Sequence, residues 1–176
     1  HEHPTQALLY AMTMKRALGS VENKRVAIVG DVLHSRVARS NVHVLRALGA
    51  EVVLVGPRSM VPIDLESALS SKIFNDLREG VAGADVIMTL RIQLERHSRA
   101  QFPGGGEYAR LFGITPARLE WAKKGGKVLV MHPGPCNRGI EISPEMAEDE
   151  RCLMQEQVSN GVAVRMAVLA RVCGVK

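Results

Sequence analysis

Aromatic residues are scarce in this chain of 176 residues, which has one Trp, two Tyr and three Phe. Its core must therefore be aliphatic, and a hydrophobic fraction of 46% supplies enough side chains for one. At about 150 residues per domain, the length allows one domain with appendages. Proteins that bind single-stranded nucleic acid stack the bases on several aromatic side chains. The scarcity of aromatics therefore argues against a nucleic acid as a partner.

Long apolar runs are also missing. No stretch approaches the roughly 18 residues that a membrane-spanning helix requires. The first residues, His-Glu-His-Pro, do not form a signal peptide. We therefore expect no association with a membrane. The chain opens with His1 and not with Met, so we also expect it to be part of a longer protein.

Cysteines are few, and their spacing does not indicate a shared site. Cys136, Cys152 and Cys173 are odd in number and lack the C-x-x-C pattern of metal and redox sites. An odd, scattered set suits a reducing compartment better than a scaffold held by disulfides. The pattern predicts a cytoplasmic protein without a zinc site.

Basic residues slightly outnumber acidic ones. The chain has 23 Lys and Arg against 18 Asp and Glu, which gives a formal charge of +5 at pH 7. This excess has two interpretations: it is scattered over the surface, or it lines a cleft that binds small anions. The positions of the basic residues in the fold must decide between them.

Short apolar runs alternate with helical patterns along the chain. The runs that we predict to be strands are 25–29, 51–55, 72–74, 85–90 and 127–131. Helical spacing predicts helices at 37–48, 63–69, 76–81, 108–112 and 116–123, with a long loop at 91–106. A helical turn follows from Ser143. This alternation is typical of an α/β fold, a three-layer sandwich in which a parallel sheet is covered by helices on both faces.

Two longer helices flank the alternation. We predict them at Pro4–Leu18, where proline is the first helical residue, and at Met154–Val172. Their apolar faces are predicted to carry Leu8, Ala11 and Met12 in the first, and Val158, Val162, Met166 and Leu169 in the second. The second helix is long enough to leave the sheet and pack elsewhere.

Three loops follow strands and carry polar or stiff residues. In open parallel sheets ligands bind beyond the carboxyl ends of the strands. Arg36 lies at the start of a helix, where the helix dipole already favours an anion. Arg91 and Gln93 are two residues apart, so in an extended segment both side chains point to the same side. Two guanidinium groups and an amide suit a small dicarboxylate that bears an amine. The alternative is that each arginine is an ordinary solvated loop residue.

Two further motifs have both a functional and a structural interpretation. His-Pro-Gly-Pro at 132–135 forms a rigid loop that can aim carbonyl groups into the cleft, or it is only a stiff turn. His3 and Gln6 are three apart on one helix face and offer an imidazole and an amide to a ligand, or they form an ordinary helix cap. The loop after the first strand lacks G-x-G-x-x-G, so a dinucleotide site has little support.

Six motifs occur in the order found in aspartate carbamoyltransferases. They are His-Pro-Thr-Gln-Ala-Leu-Leu at 3–9, the stretch 30–41 that begins Gly-Asp, Met-Thr-Leu-Arg-Ile-Gln-Leu-Glu-Arg at 88–96, His-Pro-Gly-Pro at 132–135, Asn-Arg-Gly-Ile-Glu at 137–141 and Gln-Val-Ser-Asn-Gly-Val-Ala-Val-Arg at 157–165. Over nearly its whole length the chain therefore resembles the aspartate carbamoyltransferase family. The ornithine-using relatives resemble it less, because they usually have cysteine where this chain has Thr5 and Pro133.

The resemblance implies a Rossmann-like fold and carbamoyl transfer from carbamoyl phosphate to the amine of L-aspartate, in pyrimidine biosynthesis, without a cofactor or metal. It implies that His3 hydrogen-bonds the carbamoyl oxygen and that Gln6 binds the carbamoyl NH2. The backbone carbonyls of Pro133 and Gly134 complete that pocket.

The same resemblance assigns the aspartate side of the site. Arg36 and Arg91 are implied to bind the two carboxylates, and Gln93 to place the amine. This agrees with what the residue types at the strand ends indicate on their own.

Family members also have an N-terminal carbamoyl-phosphate domain and assemble as homotrimers or larger complexes. Nothing in this sequence resembles the phosphate-binding loop of that domain, so we expect these residues alone to be inactive. We also expect the two long helices to expose apolar faces that this domain would cover, such as Leu8 with Met12 and Val158 with Val162. We divide the chain into a crossing helix at 1–19, an aspartate-binding α/β domain at 20–152 and a returning helix at 153–176. Tyr10 stands where the family usually has an acidic residue, and it could alter contacts with the absent domain.

Two alternatives remain open from the sequence. One is a noncatalytic carbamoyltransferase-like assembly module, although such a protein should have lost Arg36, Arg91 and Gln93. The other is a carbamoyltransferase for a different amine.

Overall fold

The computed structural model describes residues 2–92, 104–122 and 126–174. Within them a sheet of five parallel strands forms in the order β3-β2-β1-β4-β5. The strands are β1 Arg25–Val29, β2 Glu51–Val55, β3 Ile73–Phe74, β4 Val86–Thr89 and β5 Leu129–Met131. Each predicted strand is present, and the last three are shorter than predicted.

Helices connect and flank the strands. They are α1 Pro4–Leu18, α2 Arg36–Ala47, α3 Asp64–Leu69, α4 Leu77–Val81, α5 Gly105–Phe112, α6 Pro144–Ala147 and α7 Met154–Val172, with a 3-10 helix at Pro116–Trp121. Successive residues of β1, β2 and β4 are buried. Because successive side chains of a strand point to opposite faces, both faces of the sheet are covered. The predicted α/β fold is confirmed.

The start of α5 differs from the prediction. The helix begins at Gly105, three residues before the predicted start at Tyr108. The rings of Tyr108 and Phe112 pack 5.6 Å apart in the core, and the Tyr108 amide donates to the Gly104 carbonyl over 3.0 Å. Burial of these two aromatics extends a helix into a glycine-rich stretch that the sequence pattern assigns to a loop. Residues 93–103 of the predicted loop lie outside the described residues.

The apolar face predicted for α7 is exposed, whereas the face predicted for α1 is exposed at Leu8 and buried at Ala11. Val158, Val162, Met166 and Leu169 share a face of α7 and are each at least 60% exposed, and Leu8 of α1 is 42% exposed. The side of α7 that packs on the rest of the chain is instead polar or small, with Gln157, Asn160 and Gly161 buried. Among the described residues, no helix is both long and apolar enough to cross a membrane.

The strand order places a crevice between β1 and β4. The chain runs outward from β1 to β3 and then returns to add β4 on the other side of β1. Ligands of open α/β sheets bind where the strand order reverses, beyond the carboxyl ends. Val29 and Thr89 pair at these ends, so the segments that lead to Arg36 and Arg91 leave the sheet side by side.

Close packing of α4 on the sheet gives a stability prediction. A Cβ at Gly80 would lie 2.5 Å and 2.7 Å from the two methyl carbons of Val55. We expect Gly80→Ala to lower the free energy of unfolding by about 1–3 kcal/mol, because the extra methyl overpacks the core. Gly106→Ala is the matched control, since a Cβ there meets nothing within 4 Å. It should be neutral or stabilising by at most about 1 kcal/mol. Urea unfolding of the two variants measures both, and equal effects would contradict the packing argument.

Candidate active site

The first residues of α1 are held on α2. The backbone N–H of His3 donates to the Ser40 hydroxyl over 2.7 Å, and that hydroxyl donates to the Glu2 carboxylate over 2.7 Å. Arg36 is the first residue of α2 and lies one helical turn before Ser40, so the two share a face of the helix. This contact brings His3 next to Arg36.

The charges around His3 agree with that placement. Partial burial lowers the pKa of His3 from its ordinary value, and the positive charges of Arg36 and Arg165 lower it further. The Thr5 hydroxyl lies 3.4 Å from Nδ1 of the ring. A hydroxyl that donates to Nδ1 puts the proton of the neutral ring on Nε2. Nε2–H is then the donor that His3 can offer to a ligand.

Gln6 follows one turn into α1 and is buried, with 7% of its surface exposed. Its backbone N–H donates to the His3 carbonyl over 3.0 Å, which closes the first turn. Its side-chain oxygen accepts a hydrogen bond of 3.2 Å from the Arg165 guanidinium of α7. His3, Gln6, Arg36 and Arg165 therefore form one cluster, which we call the α1 cluster.

The loop 132–135 after β5 is fixed from both sides. Nδ1 of His132 accepts from the Gly134 backbone N–H over 2.9 Å, and the Gln157 side chain donates to the His132 carbonyl over 3.0 Å. The Gly134–Pro135 peptide bond is cis. Burial lowers the pKa of His132 to about 4, with a further contribution from Arg91. His132 is therefore neutral at pH 7 and lies within reach of the Arg91 charge.

A buried carboxylate joins the loop after β4 to the loop after β5. Glu141 accepts hydrogen bonds from the Ile92 backbone N–H at 2.7 Å and from the Asn137 backbone N–H at 2.8 Å. The Asn137 side chain donates both to Glu141, at 2.7 Å, and to the Ile92 carbonyl, at 2.9 Å. Since Ile92 follows Arg91 directly, this network fixes the backbone next to Arg91.

One group of metal-ligand residue types meets within the described part of the chain. Ligand atoms of His132, Cys136 and Glu141 lie within 4.8 Å of one another. Burial, followed by the nearby charge of Glu141, raises the pKa of the Cys136 thiol to about 12, and the thiol donates to that carboxylate with sulfur and oxygen 3.8 Å apart. Nδ1 of His132 and the Glu141 oxygens are already hydrogen-bonded. The arrangement therefore fits a hydrogen-bonded group with a protonated thiol better than a set of metal ligands.

Most of the predicted site residues lie within the described part of the structure. His3, Gln6 and Arg36 come together in the α1 cluster, and Arg91 lies near His132 at the base of the predicted carbonyl loop. Pro133 and Gly134 are half-buried within that loop. Gln93 lies outside the described residues. The predicted proximity of the Arg36 and Arg91 side chains therefore stays a prediction, although both follow adjacent strands.

Sequence reasoning missed several residues that build the site. Tyr10 is fully buried within this chain, beside Gln157 of α7, where we had expected it to affect contacts with an absent domain. Arg165 and Glu141 belong to the family motifs at 157–165 and 137–141, but the sequence alone assigns no role to either residue. The available signal for the α7 residues is two polar side chains at helical spacing: Gln157 and Asn160 share the buried face with Gly161 and Val164.

Comparisons with known proteins agree with this architecture. The family described as aspartate/ornithine carbamoyltransferase, Asp/Orn binding domain, matches residues 22–172. The aspartate carbamoyltransferase catalytic subunit of Myxococcus xanthus is 54% identical over 169 residues, which cover 96% of this chain and 56% of that subunit. The chain thus spans about half the length of the curated relatives that it matches.

Solved structures share the fold. Aspartate transcarbamoylase from Trypanosoma cruzi, in complex with carbamoyl aspartate and phosphate, has a TM-score of 0.80 and 32% identity over 96% of this chain and 55% of its own. Ornithine carbamoyltransferase from Pyrococcus furiosus has a TM-score of 0.79 and 25% identity over 96% of this chain and 56% of its own. The family model matches most of the chain, and the parallel sheet agrees with these structural neighbours. The chain therefore belongs to the aspartate/ornithine carbamoyltransferase family and contains its Asp/Orn-binding domain.

Proposed function

We propose that this chain is the aspartate-binding part of an aspartate carbamoyltransferase. The reaction moves the carbamoyl group of carbamoyl phosphate to the amine of L-aspartate and yields N-carbamoyl-L-aspartate and phosphate, a step of pyrimidine biosynthesis. The observation that carries the proposal is the α1 cluster, in which an imidazole, an amide and two arginines meet at one end of α1.

The chemistry requires a polarised carbonyl. As the amine attacks, negative charge develops on the carbamoyl oxygen, and a donor fixed at that position stabilises the transition state. In the proposal, Nε2–H of His3 is this donor. The carbamoyl NH2 donates two hydrogen bonds. The acceptors in the proposal are the side-chain oxygen of Gln6 and the backbone carbonyls of Pro133 and Gly134.

The attacking amine must be neutral and held close to the carbonyl. Arg36 and Arg91 are proposed to bind the two carboxylates of aspartate, with Gln93 beside the amine. Two guanidinium groups favour a dicarboxylate over ornithine, whose side chain ends in an amine. Of the 23 basic residues, these two arginines are the ones that we assign to anion binding near the crevice.

The partners belong to the proposal as well. Substrate phosphate needs charged donors beyond those of the α1 cluster, so we propose that an N-terminal carbamoyl-phosphate domain packs against α1 and α7. Homotrimers or larger assemblies are proposed by analogy with the family. The three free cysteines suit a reducing compartment, and we propose the cytoplasm.

A chimera tests the proposed function. These residues replace the matching part of the Myxococcus xanthus catalytic subunit. Carbamoyl transfer is then measured as N-carbamoyl-L-aspartate with L-aspartate as acceptor, and as citrulline with L-ornithine as acceptor. We expect transfer to aspartate. Transfer to ornithine alone would favour a carbamoyltransferase for another amine. A folded chimera without any transfer would favour a noncatalytic module.

Arg91→Ala in this chimera should mainly weaken the use of aspartate. Losing one charged hydrogen-bond donor raises KM for aspartate at least about tenfold, with a smaller change in kcat. Arg171→Ala is the control, because Arg171 is exposed near the far end of α7. Steady-state kinetics with varied aspartate measures the difference, and an unchanged KM in Arg91→Ala would remove Arg91 from the site.

His3→Ala should mainly lower kcat. Removing one donor to a developing oxyanion typically costs about 3 kcal/mol, which is roughly a hundredfold in rate. His43→Ala is the control, because His43 is an exposed histidine on α2. If both variants turn over at the parental rate under saturating substrates, His3 is not the donor.

A further inference from the structure

Arg165 is the one member of the α1 cluster to which the proposed reaction gives no role. Its guanidinium donates to the Gln6 side-chain oxygen over 3.2 Å, from α7 to α1. Its charge also reaches His3, whose pKa it lowers together with burial and Arg36. One cation thus acts on both α1 side chains that are proposed to bind the carbamoyl group.

Gly161 makes room for this contact. It is buried on α7, one turn before Arg165. A Cβ at position 161 would lie 2.7 Å from a guanidinium nitrogen of Arg165 and 3.3 Å from a methyl carbon of Leu9. The guanidinium therefore lies back over Gly161, along its own helix, and any side chain there would displace it.

A guanidinium group donates hydrogen bonds and cannot accept them. A side-chain amide presents a different group after a half turn: its oxygen accepts and its NH2 donates. Arg165 consequently selects the orientation in which the Gln6 oxygen faces the cluster. That oxygen has two lone pairs, so one remains for a second donor.

We propose that Arg165 is a positioning residue that holds the Gln6 amide as an acceptor and thereby makes the site selective for a carbamoyl group over an acyl group without NH2. The inference rests on the proposed function, since it takes Gln6 as the contact of the carbamoyl NH2. Without Arg165 the amide can turn, and two NH2 groups then face each other.

The first test observes the contact in this chain without any reaction. The NMR signals of the Gln6 side-chain NH2 are compared among the parent, Arg165→Met, Gly161→Ala and Arg171→Met. We expect both Arg165→Met and Gly161→Ala to shift these signals, and Arg171→Met to leave them in place. Gly161→Ala keeps the positive charge and displaces the far end of the Arg165 side chain, with a small shift of the Leu9 methyl. It therefore serves as a second variant if Arg165→Met fails to fold. Unchanged Gln6 signals in both variants would overturn the proposal.

The second test measures selectivity in the chimera. Dissociation constants are determined for carbamoyl phosphate and for acetyl phosphate, in which a methyl group replaces the NH2. We expect Arg165→Met to weaken the binding of carbamoyl phosphate about tenfold and the binding of acetyl phosphate less than about twofold. Only carbamoyl phosphate loses a hydrogen bond in this variant. Gly161→Ala should act in the same direction, and Arg171→Met on neither ligand.

If Arg165→Met weakens the binding of both ligands equally, Arg165 has a merely structural role and the inference is overturned. Unchanged dissociation constants for both ligands would also overturn it. Failure of the proposed function looks different: the parental chimera would not form N-carbamoyl-L-aspartate. The NMR comparison and the two binding constants do not depend on turnover, so they decide the role of Arg165 in that case too.

Discussion

The geometry at the carboxyl edge of the sheet depends on the carboxylate of Glu141. It is buried, and it accepts three hydrogen bonds from the backbone of Ile92 and from the backbone and side chain of Asn137. Strands β4 and β5 pair in the sheet as far as Met88 and Met131, and Glu141 connects the described segments beyond them. Burial raises the pKa of Glu141 while these hydrogen bonds oppose the shift. A buried carboxylate is costly unless its oxygens are hydrogen-bonded, so this joint holds the segment beside Arg91 and the carbonyl loop in one arrangement.

The other half of the site depends on a polar contact between α1 and α7. Asn160 accepts a hydrogen bond of 2.5 Å from Arg16 and donates to the Thr13 hydroxyl over 2.9 Å. Further along, Tyr10 lies beside Gln157, and Gln157 also donates to the His132 carbonyl. The two halves are thereby connected, because the same helix pair that carries Gln6 and Arg165 also holds the loop after β5. Buried polar groups of this kind accept few alternative pairings, which sets the rotation of α1 that presents His3 and Gln6.

Positive charge lies near both imidazoles of this site. Arg36 and Arg165 lower the pKa of His3, and Arg91 lowers that of His132, in each case in addition to burial. Arginines near a crevice attract anions such as a phosphate ester or a dicarboxylate. By lowering the pKa of His3 together with burial, they also favour the neutral form of its ring. The same charges therefore favour anion binding and shift the titration of His3 in one direction.

The sequence by itself determined the alternation of strands and helices, because apolar periodicity and glycine or proline boundaries act within short stretches. It also determined the family, through motifs at 3–9, 132–135 and 157–165. It predicted the exposure of Leu8 on α1 and of Val158 with Val162 on α7, but it did not predict that Gln157 and Asn160 are packed inside. Only the tertiary structure decided that Arg165 reaches Gln6 and that Glu141 reaches Ile92. These contacts join residues 159 and 49 positions apart, and local sequence patterns carry no information on such distant pairs.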